Sequence, residues 1–252
     1  LFNAFCKERI ETGRMYVMNI DHCNDHSSFT DKIKMSNLCQ EITLPTTPLN
    51  HIDDNCNTDA EIALCVLSAI NVGAIKLSEL KDICMNIVRA LDSVIEYQLY
   101  PVGASTKMLK RRSIGVGITN LAYYLAKNDV TYDDPKACNI VDELMEHIQY
   151  NLIKASIQLA KEKGKCEWFD RTKYSKGILP IDTYSKSVDK LVTRKSKLNW
   201  DKLRKDIEKY GMRNSTLTAL MPCESSSLVT NSTNGIEPPR GLLSIKKSKQ
   251  GL

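Results

Sequence analysis

Apolar positions along the chain fall into two alternating patterns, stretches with helical spacing and short continuous runs. Phe2, Phe5 and Ile10 share one helical face and Gly13 follows as a stop, so residues 2–13 predict a helix. Met15 to Ile20 predicts a short strand. The stretch from Asp21 to Met35 is rich in Asp, His, Asn and Ser with little periodicity, and predicts a loop. Ile42 to Leu44 is short and apolar, and Pro45 and Pro48 then hold the chain extended, because proline disfavours helix at the residue before it. Ala60 to Ile75 is almost continuously apolar, which suits a strand or strand-plus-turn buried on both faces. Ser78, with Glu79 and Asp82 in the following turn, reads as the N-cap of a helix running to about Glu96.

The alternation continues to the far end. Ser113 to Ile118 predicts a second buried strand and Asn120 to Lys127 the helix after it. Asp134 or Pro135 opens the longest helix, with Ile140, Val141, Leu144, Ile148, Leu152, Ile153, Ile157 and Leu159 close to a 3.6-residue period before Gly164 ends it. Trp200 to Tyr210 is a further amphipathic helix. Ser215 to Met221 is a buried strand that runs into Pro222 and a Ser-rich turn. Strands alternating with long helices predict a parallel, helix-covered α/β architecture, with no internal repeat, low-complexity linker or second domain. Ligands of such sheets sit beyond the carboxyl ends of the strands.

Composition narrows the class. Of 252 residues, 42% are hydrophobic and 26% charged, which excludes disordered and fibrous proteins. No apolar run is long enough to cross a bilayer and no signal core opens the chain, so the expectation is a cytoplasmic protein with no membrane partner. The net charge of +5 comes from 35 basic and 30 acidic residues, mostly intermixed, which gives little reason to expect nucleic acid. The basic clusters Lys107 to Arg112 and Lys246, Lys247 and Lys249 read as solvated surface, although a positive field would also draw a phosphate-rich substrate. Nine cysteines, an odd number without a C-x-x-C pair, argue against a disulfide framework and a cysteine zinc site. Most are expected to be small buried hydrophobes. The start at Leu1 and the stop after Ser-Ile-Lys-Lys-Ser-Lys read as those of a fragment.

Three places could carry chemistry. Asn37-Leu38-Cys39-Gln40-Glu41 sets an amide, a thiol and a carboxylate at alternate positions, so that in an extended segment or a loop tip all three point one way. A thiol between a hydrogen-bonding amide and a potential base is a plausible reactive centre, although the pattern alone is short enough to arise by chance. Met221-Pro222-Cys223-Glu224-Ser225-Ser226-Ser227 follows a buried strand and starts a helix, where successive N–H groups suit a phosphate or simply an ordinary Ser cap. His22-Cys23-x-x-His26 could bind a metal, but no fourth ligand is evident, and structural hydrogen bonding is the better reading. A thiol hydrolase pairing Cys39 with His22 or His26 lacks an orienting third group. Gly115-x-Gly117 lacks the third glycine of a dinucleotide fingerprint and reads as close backbone packing.

The segment Ser36-Asn-Leu-Cys-Gln-Glu-Ile-Thr-Leu-Pro-Thr resembles the active-site finger loop of the large (alpha) subunit of aerobic, class I ribonucleotide reductases. The similarity extends to Thr12-Gly-Arg-Met-Tyr-Val-Met-Asn-Ile-Asp-His-Cys-Asn, Ile62-Ala-Leu-Cys-Val-Leu-Ser-Ala-Ile-Asn and Gly177-Ile-Leu-Pro-Ile-Asp-Thr-Tyr. It closes with Arg213-Asn-Ser-Thr-Leu-Thr-Ala-Leu-Met-Pro and Thr233-Asn-Gly-Ile-Glu-Pro-Pro-Arg-Gly, in family order over essentially the whole chain.

The resemblance implies that residues 1–252 are the C-terminal portion of the catalytic domain, part of a ten-stranded α/β barrel with a central finger loop. The N-terminal regulatory region and C-terminal tail would lie outside it. It implies that Cys39 is the thiyl-radical cysteine that takes hydrogen from the ribose 3′ carbon, Glu41 the base for the 3′ hydroxyl and Asn37 the amide beside it. Cys65 is implied to be one of two reducing thiols, its partner having no match here. Leu38 and Gln40 fall in the same substrate loop, and Pro222, Cys223, Glu224, Ser225 and Ser226 in the turn for the substrate diphosphate. Cys223 stands where the family usually has Ser, and Ser225 where Thr is common.

No cofactor or metal is implied to bind directly. The radical would come from a metal-containing, di-iron small subunit, electrons from thioredoxin or glutaredoxin, and ATP or dNTP effectors would bind elsewhere in a large-subunit homodimer. The implied reaction is reduction of ribonucleoside diphosphates to their 2′-deoxy forms. The alternative is an inactive or split-gene fragment that acts only by association with a complementary chain.

Overall fold

Two parallel strands and the extended segment beside them organise the molecule, in a computed structural model that describes residues 1–13, 15–51, 59–64, 66–241 and 243. The elements in chain order are α1 (Phe2–Thr12), α2 (Ile20–His26), β1 (Leu67–Asn71), α3 (Leu80–Tyr97), α4 (Met108–Arg111), β2 (Gly115–Thr119), α5 (Leu121–Lys127), α6 (Pro135–Lys163), α7 (Pro180–Thr183), α8 (Trp200–Tyr210) and α9 (Glu224–Val229). Strands β1 and β2 are parallel, with Leu67 opposite Gly115 and Asn71 opposite Thr119.

On the other side of β2 the chain from Ser215 to Met221 runs parallel to it. Val116 N–H donates to the Leu217 carbonyl at 2.8 Å, and Ala219 N–H to the Val116 carbonyl at 3.2 Å. This segment forms a single bridge, Val116 to Thr218, rather than the full strand its sequence predicts. All of β2 is buried. Its glycines let the neighbour in: a Cβ on Gly117 would lie 2.5 Å from the Ala219 carbonyl and 2.7 Å from Met221 Sδ, and one on Gly115 2.8 Å from Ala219 Cβ. Gly115-x-Gly117 is thus a close-packing device, as its sequence suggests.

Helices cover this sheet. In α3, Leu80, Cys84, Val88, Leu91 and Ile95 recur every three or four residues and are buried together. They meet Leu144, Ile148, Leu152 and Ile153 of α6 in one apolar core, where each fully buried Leu or Ile contributes about 1.5–3 kcal/mol. The start of α6 follows its sequence signals, with Pro135 in the first turn and Asp134 Oδ1 accepting from Lys136 N–H at 2.8 Å. In α8, Trp200 sets its ring edge-on to Tyr150 at 5.3 Å.

Several expectations need correction. Residues 15–19 form no strand: Met15, Tyr16 and Val17 are exposed, and the Val17 carbonyl accepts from the Gln40 side chain instead of a neighbouring strand. The predicted 21–35 loop begins with α2, because Asn24 ties that short helix down, donating to the Ile20 and Ile33 carbonyls and accepting from Ile33 N–H. The 60–75 apolar run does give a strand and turn, β1 followed by a 3-10 turn at Val72–Ala74, but β1 is mostly half-buried rather than buried on both faces. Before α3, the capping carboxylate is Glu79, which accepts from Lys76 N–H at 2.7 Å, not Ser78. Arg111 and Arg112 are buried, not solvated, each paired with a buried carboxylate, Glu61 and Asp92 respectively. Of the seven described cysteines only Cys84, Cys166 and Cys223 are buried, so most are not core residues. Among the described residues no helix is long and apolar enough to cross a membrane.

Candidate active site

The Asn37–Glu41 segment is a tight turn that closes on itself. Gln40 N–H donates to the Asn37 carbonyl at 3.2 Å, Asn37 N–H to the Ile42 carbonyl at 3.1 Å, and Ile42 N–H to Asn37 Oδ1 at 3.0 Å. Gln40 takes a left-handed φ of 62°, and its side-chain amide donates to the Val17 carbonyl. Because the backbone turns, the alternation expected of an extended segment does not hold, and the three side chains do not share one face. Leu38 and Cys39 stand exposed at the tip, and Asn37 spends its oxygen on the loop. Glu41 reaches inward, where its Oε2 is buried and meets no hydrogen-bond donor among the described residues.

That carboxylate lies in a wall shared by two cavities, of about 260 and 870 Å³, together with Gln149, Pro180, Thr218 and Ala219. Thr218 Oγ1 donates to Gln149 Oε1 at 3.0 Å, which fixes the wall between α6 and residues 215–221, the third segment of the sheet beside β2. In the smaller cavity Lys173 donates to the Asn24 and Asp25 carbonyls at the end of α2, and burial lowers its ammonium pKa. In the larger, burial works to raise the Glu146 carboxyl, but hydrogen bonds from Ser196, Trp200 and Arg194 outweigh it and hold the group below the ordinary range.

The second candidate region follows the third segment. Residues Pro222, Glu224, Ser225 and Ser226 are exposed, Cys223 is buried, and α9 begins at Glu224. Cys223 N–H donates to Asn234 Oδ1 at 2.6 Å, and Ser227 N–H to the Cys223 carbonyl at 2.8 Å. The Cys223 thiol lies beneath the turn, against the Met221 and Ile118 carbonyls, and burial pushes its pKa up. The side chain at 223 therefore does not reach the outer face of the turn. Behind it, Asn120 in a left-handed conformation donates to Asn71 Oδ1 and accepts from Thr233 N–H, tying the carboxyl ends of β1 and β2 to the Thr233-Asn234 stretch.

Ile42 brings the two regions together, since it packs on the cluster of Ala219, Met221 and Cys223 with Ala69. Cys65 lies outside the described residues. His22 and His26 are exposed on α2, and among the described residues no group of three or more His, Cys, Asp or Glu could hold a metal. Sequence reasoning missed Gln149, Asp31, Glu61 and the two buried arginines. Arg111 and Arg112 find their acids 50 and 20 residues away, so no local pattern marks them. Asn234 had a signal, its place in the Thr233-Asn-Gly block.

Compared with known proteins, the chain matches the family model of the ribonucleotide reductase barrel domain over residues 1–252. The chain belongs to the ribonucleotide reductase barrel-domain family. Among this family's curated members it is 55% identical over 257 residues to the ribonucleoside-diphosphate reductase subunit alpha of Buchnera aphidicola subsp. Schizaphis graminum, covering 100% of this chain and 33% of that protein. It is 51% identical over 256 residues to ribonucleoside-diphosphate reductase 1 subunit alpha of Escherichia coli, and 48% over 260 residues to the subunit alpha of Enterobacteria phage T4, again covering 100% of this chain and 33% of each relative. The chain thus spans about a third of the length of the curated reductase subunits it matches.

Proposed function

We propose that the chain carries the substrate-reducing centre of a ribonucleoside-diphosphate reductase large subunit, within the ten-stranded barrel and finger loop of that family. The unbroken family match over residues 1–252 carries this reading, and the closed Asn37–Glu41 turn is consistent with it. Cys39, at the exposed tip, takes up a radical delivered from a separate metal-containing small subunit. Its thiyl sulfur removes the hydrogen from the ribose 3′ carbon, forming the S–H bond and leaving a carbon radical. Glu41, whose buried Oε2 meets no donor among the described residues, accepts the 3′ hydroxyl proton, while the 2′ hydroxyl takes a proton from one of the two reducing thiols and leaves as water. A buried carboxylate with an unmet acceptor is suited to that task, because a proton or a hydroxyl supplies what the protein does not. Asn37 has its oxygen committed to Ile42, which leaves its amide N–H side to face the substrate hydroxyls.

Cys65 and a second thiol supply the two electrons, one thiol proton going to the departing water and one hydrogen to the 2′ carbon, and become a disulfide, which thioredoxin or glutaredoxin reduces. Glu41 returns its proton to the 3′ oxygen and Cys39 its hydrogen to the 3′ carbon, which restores the thiyl radical. The exposed turn of Pro222 to Ser226 takes the diphosphate. The subunit pairs with a small subunit and a second large subunit, and effector nucleotides act at other sites. In the full-length protein carrying this sequence, with a small subunit, cytidine diphosphate and dithiothreitol, Cys39→Ser should abolish deoxynucleotide formation while substrate binding changes little. Turnover retained in that variant would remove Cys39 from the radical role.

A further inference from the structure

The closed turn of residues 37–42 sets the shape of the reactive loop, but its internal bonds do not set where the loop stands against the rest of the site. That depends on the two segments that enter and leave it, and one guanidinium holds both. Arg111, at the end of α4, directs Nε and Nη2 onto the two carboxylate oxygens of Glu61, with Nη2 to Oε2 at 2.9 Å. Its Nη2 also reaches Asp31 Oδ2 at 2.8 Å, and Arg171 Nε meets the same oxygen at 2.8 Å.

Asp31 belongs to the entering segment. Glu61 exchanges both backbone hydrogen bonds with Thr47 of the leaving segment, each at 3.1 Å. The guanidinium also lies over the Phe29 ring at 5.4 Å and the Trp168 ring at 4.7 Å. Phe29, Ile33 and Leu44 form the small apolar cluster between the two segments, against which Ile42 packs. Burial works to raise the Asp31 carboxyl, but hydrogen bonds from Arg171 and Arg111 outweigh it and keep the group below the ordinary range, which matches a charged clamp.

We infer that Arg111 is a positioning residue for Cys39, fixing the entering and leaving segments of its loop at once through Asp31, Glu61 and Phe29. This rests on the reading of Cys39 as the hydrogen-abstracting thiol. The diphosphate turn stands on a different segment, after Met221, so loss of the clamp shifts the loop against a substrate that still binds. A misplacement of about 1 Å at a reacting atom costs on the order of a hundredfold in rate. Lysine keeps a positive charge beside Glu61 but cannot fork onto two carboxylates and lie flat on a ring.

The test uses the full-length protein with its small subunit, cytidine diphosphate and dithiothreitol. Arg111→Lys should lower kcat by about a hundredfold with KM changed less than about threefold. Amide hydrogen exchange should rise across residues 32–47 while α6 and β2 keep their protection. Wild-type kcat with unchanged exchange in 32–47 overturns the inference, and so does loss of protection spread evenly over the chain. Should Arg111→Lys fail to fold, Asp31→Asn, at the more exposed end of the clamp, is judged by the same two readouts, with a smaller loss of kcat expected. If the wild-type protein makes no deoxynucleotide, the functional reading fails, and the exchange measurement alone still decides whether Arg111 holds the loop.

Discussion

The sulfur of Cys39 stands in solvent at a loop tip, whereas those of Cys84 and Cys166 are enclosed by the helical core. Burial pushes both enclosed thiols up to about 12, since a thiolate there would lose its hydration. The thiolate is the nucleophile, so at pH 8 the enclosed pair stays protonated and unreactive. Iodoacetamide at that pH should label Cys39 in the folded protein and leave Cys84 and Cys166 unmodified, as peptide mass spectrometry can read. Labelling of the enclosed pair at a rate like that of Cys39 would contradict the burial described for them. At this scale the sequence exposes residue types but not their surroundings: Asn37, Cys39 and Glu41 are legible as a trio, and the backbone turn at Gln40 that separates their directions is not. The inward Glu41 oxygen shares its cavity wall with Gln149 and Thr218, which no local pattern connects to it.

Among the elements, the long helix α6 is legible because its signals are local, a Pro in the first turn, an Asp cap, a sustained period and a closing glycine. The seven residues of α2 are not, because distant partners such as Ile33 hold that helix through Asn24. The third segment reads as a strand from its apolar run, but its pairing is confined to one bridge. Its contact with β2 gives a direct test. Gly117→Ala puts a methyl carbon 2.5 Å from the Ala219 carbonyl, a backbone atom that cannot move without shifting the segment. Overpacking of this kind costs about 1–3 kcal/mol. A urea titration should show that loss, and an unchanged midpoint would mean the segment is free to retreat from β2.

Across the whole molecule, buried charge joins parts that are far apart in sequence. Asp92 of α3 is fully buried and accepts from Arg112 just before β2 at 2.6 Å and from Arg213 just before the third segment at 3.3 Å. Removing the carboxylate leaves Arg112 in the interior with the half-exposed Glu96, which its Nη2 meets at 2.8 Å, as its remaining carboxylate partner, and breaking a buried pair in this way costs about 3–5 kcal/mol. Asp92→Ala should therefore lower stability by about that amount in chemical denaturation, and a change under about 1 kcal/mol would show that water or Glu96 takes over the charge. The loop of residues 37–42 has an equally dispersed support. Ser28, which precedes the loop, donates to the Ser215 carbonyl 187 residues later. At ribosomal rates of about 5–20 residues per second that separation is on the order of 10–40 s of synthesis. The thiol of Cys39 is consequently made well before Ser215, and no folding order can complete the support of its loop until Ser215 has been translated.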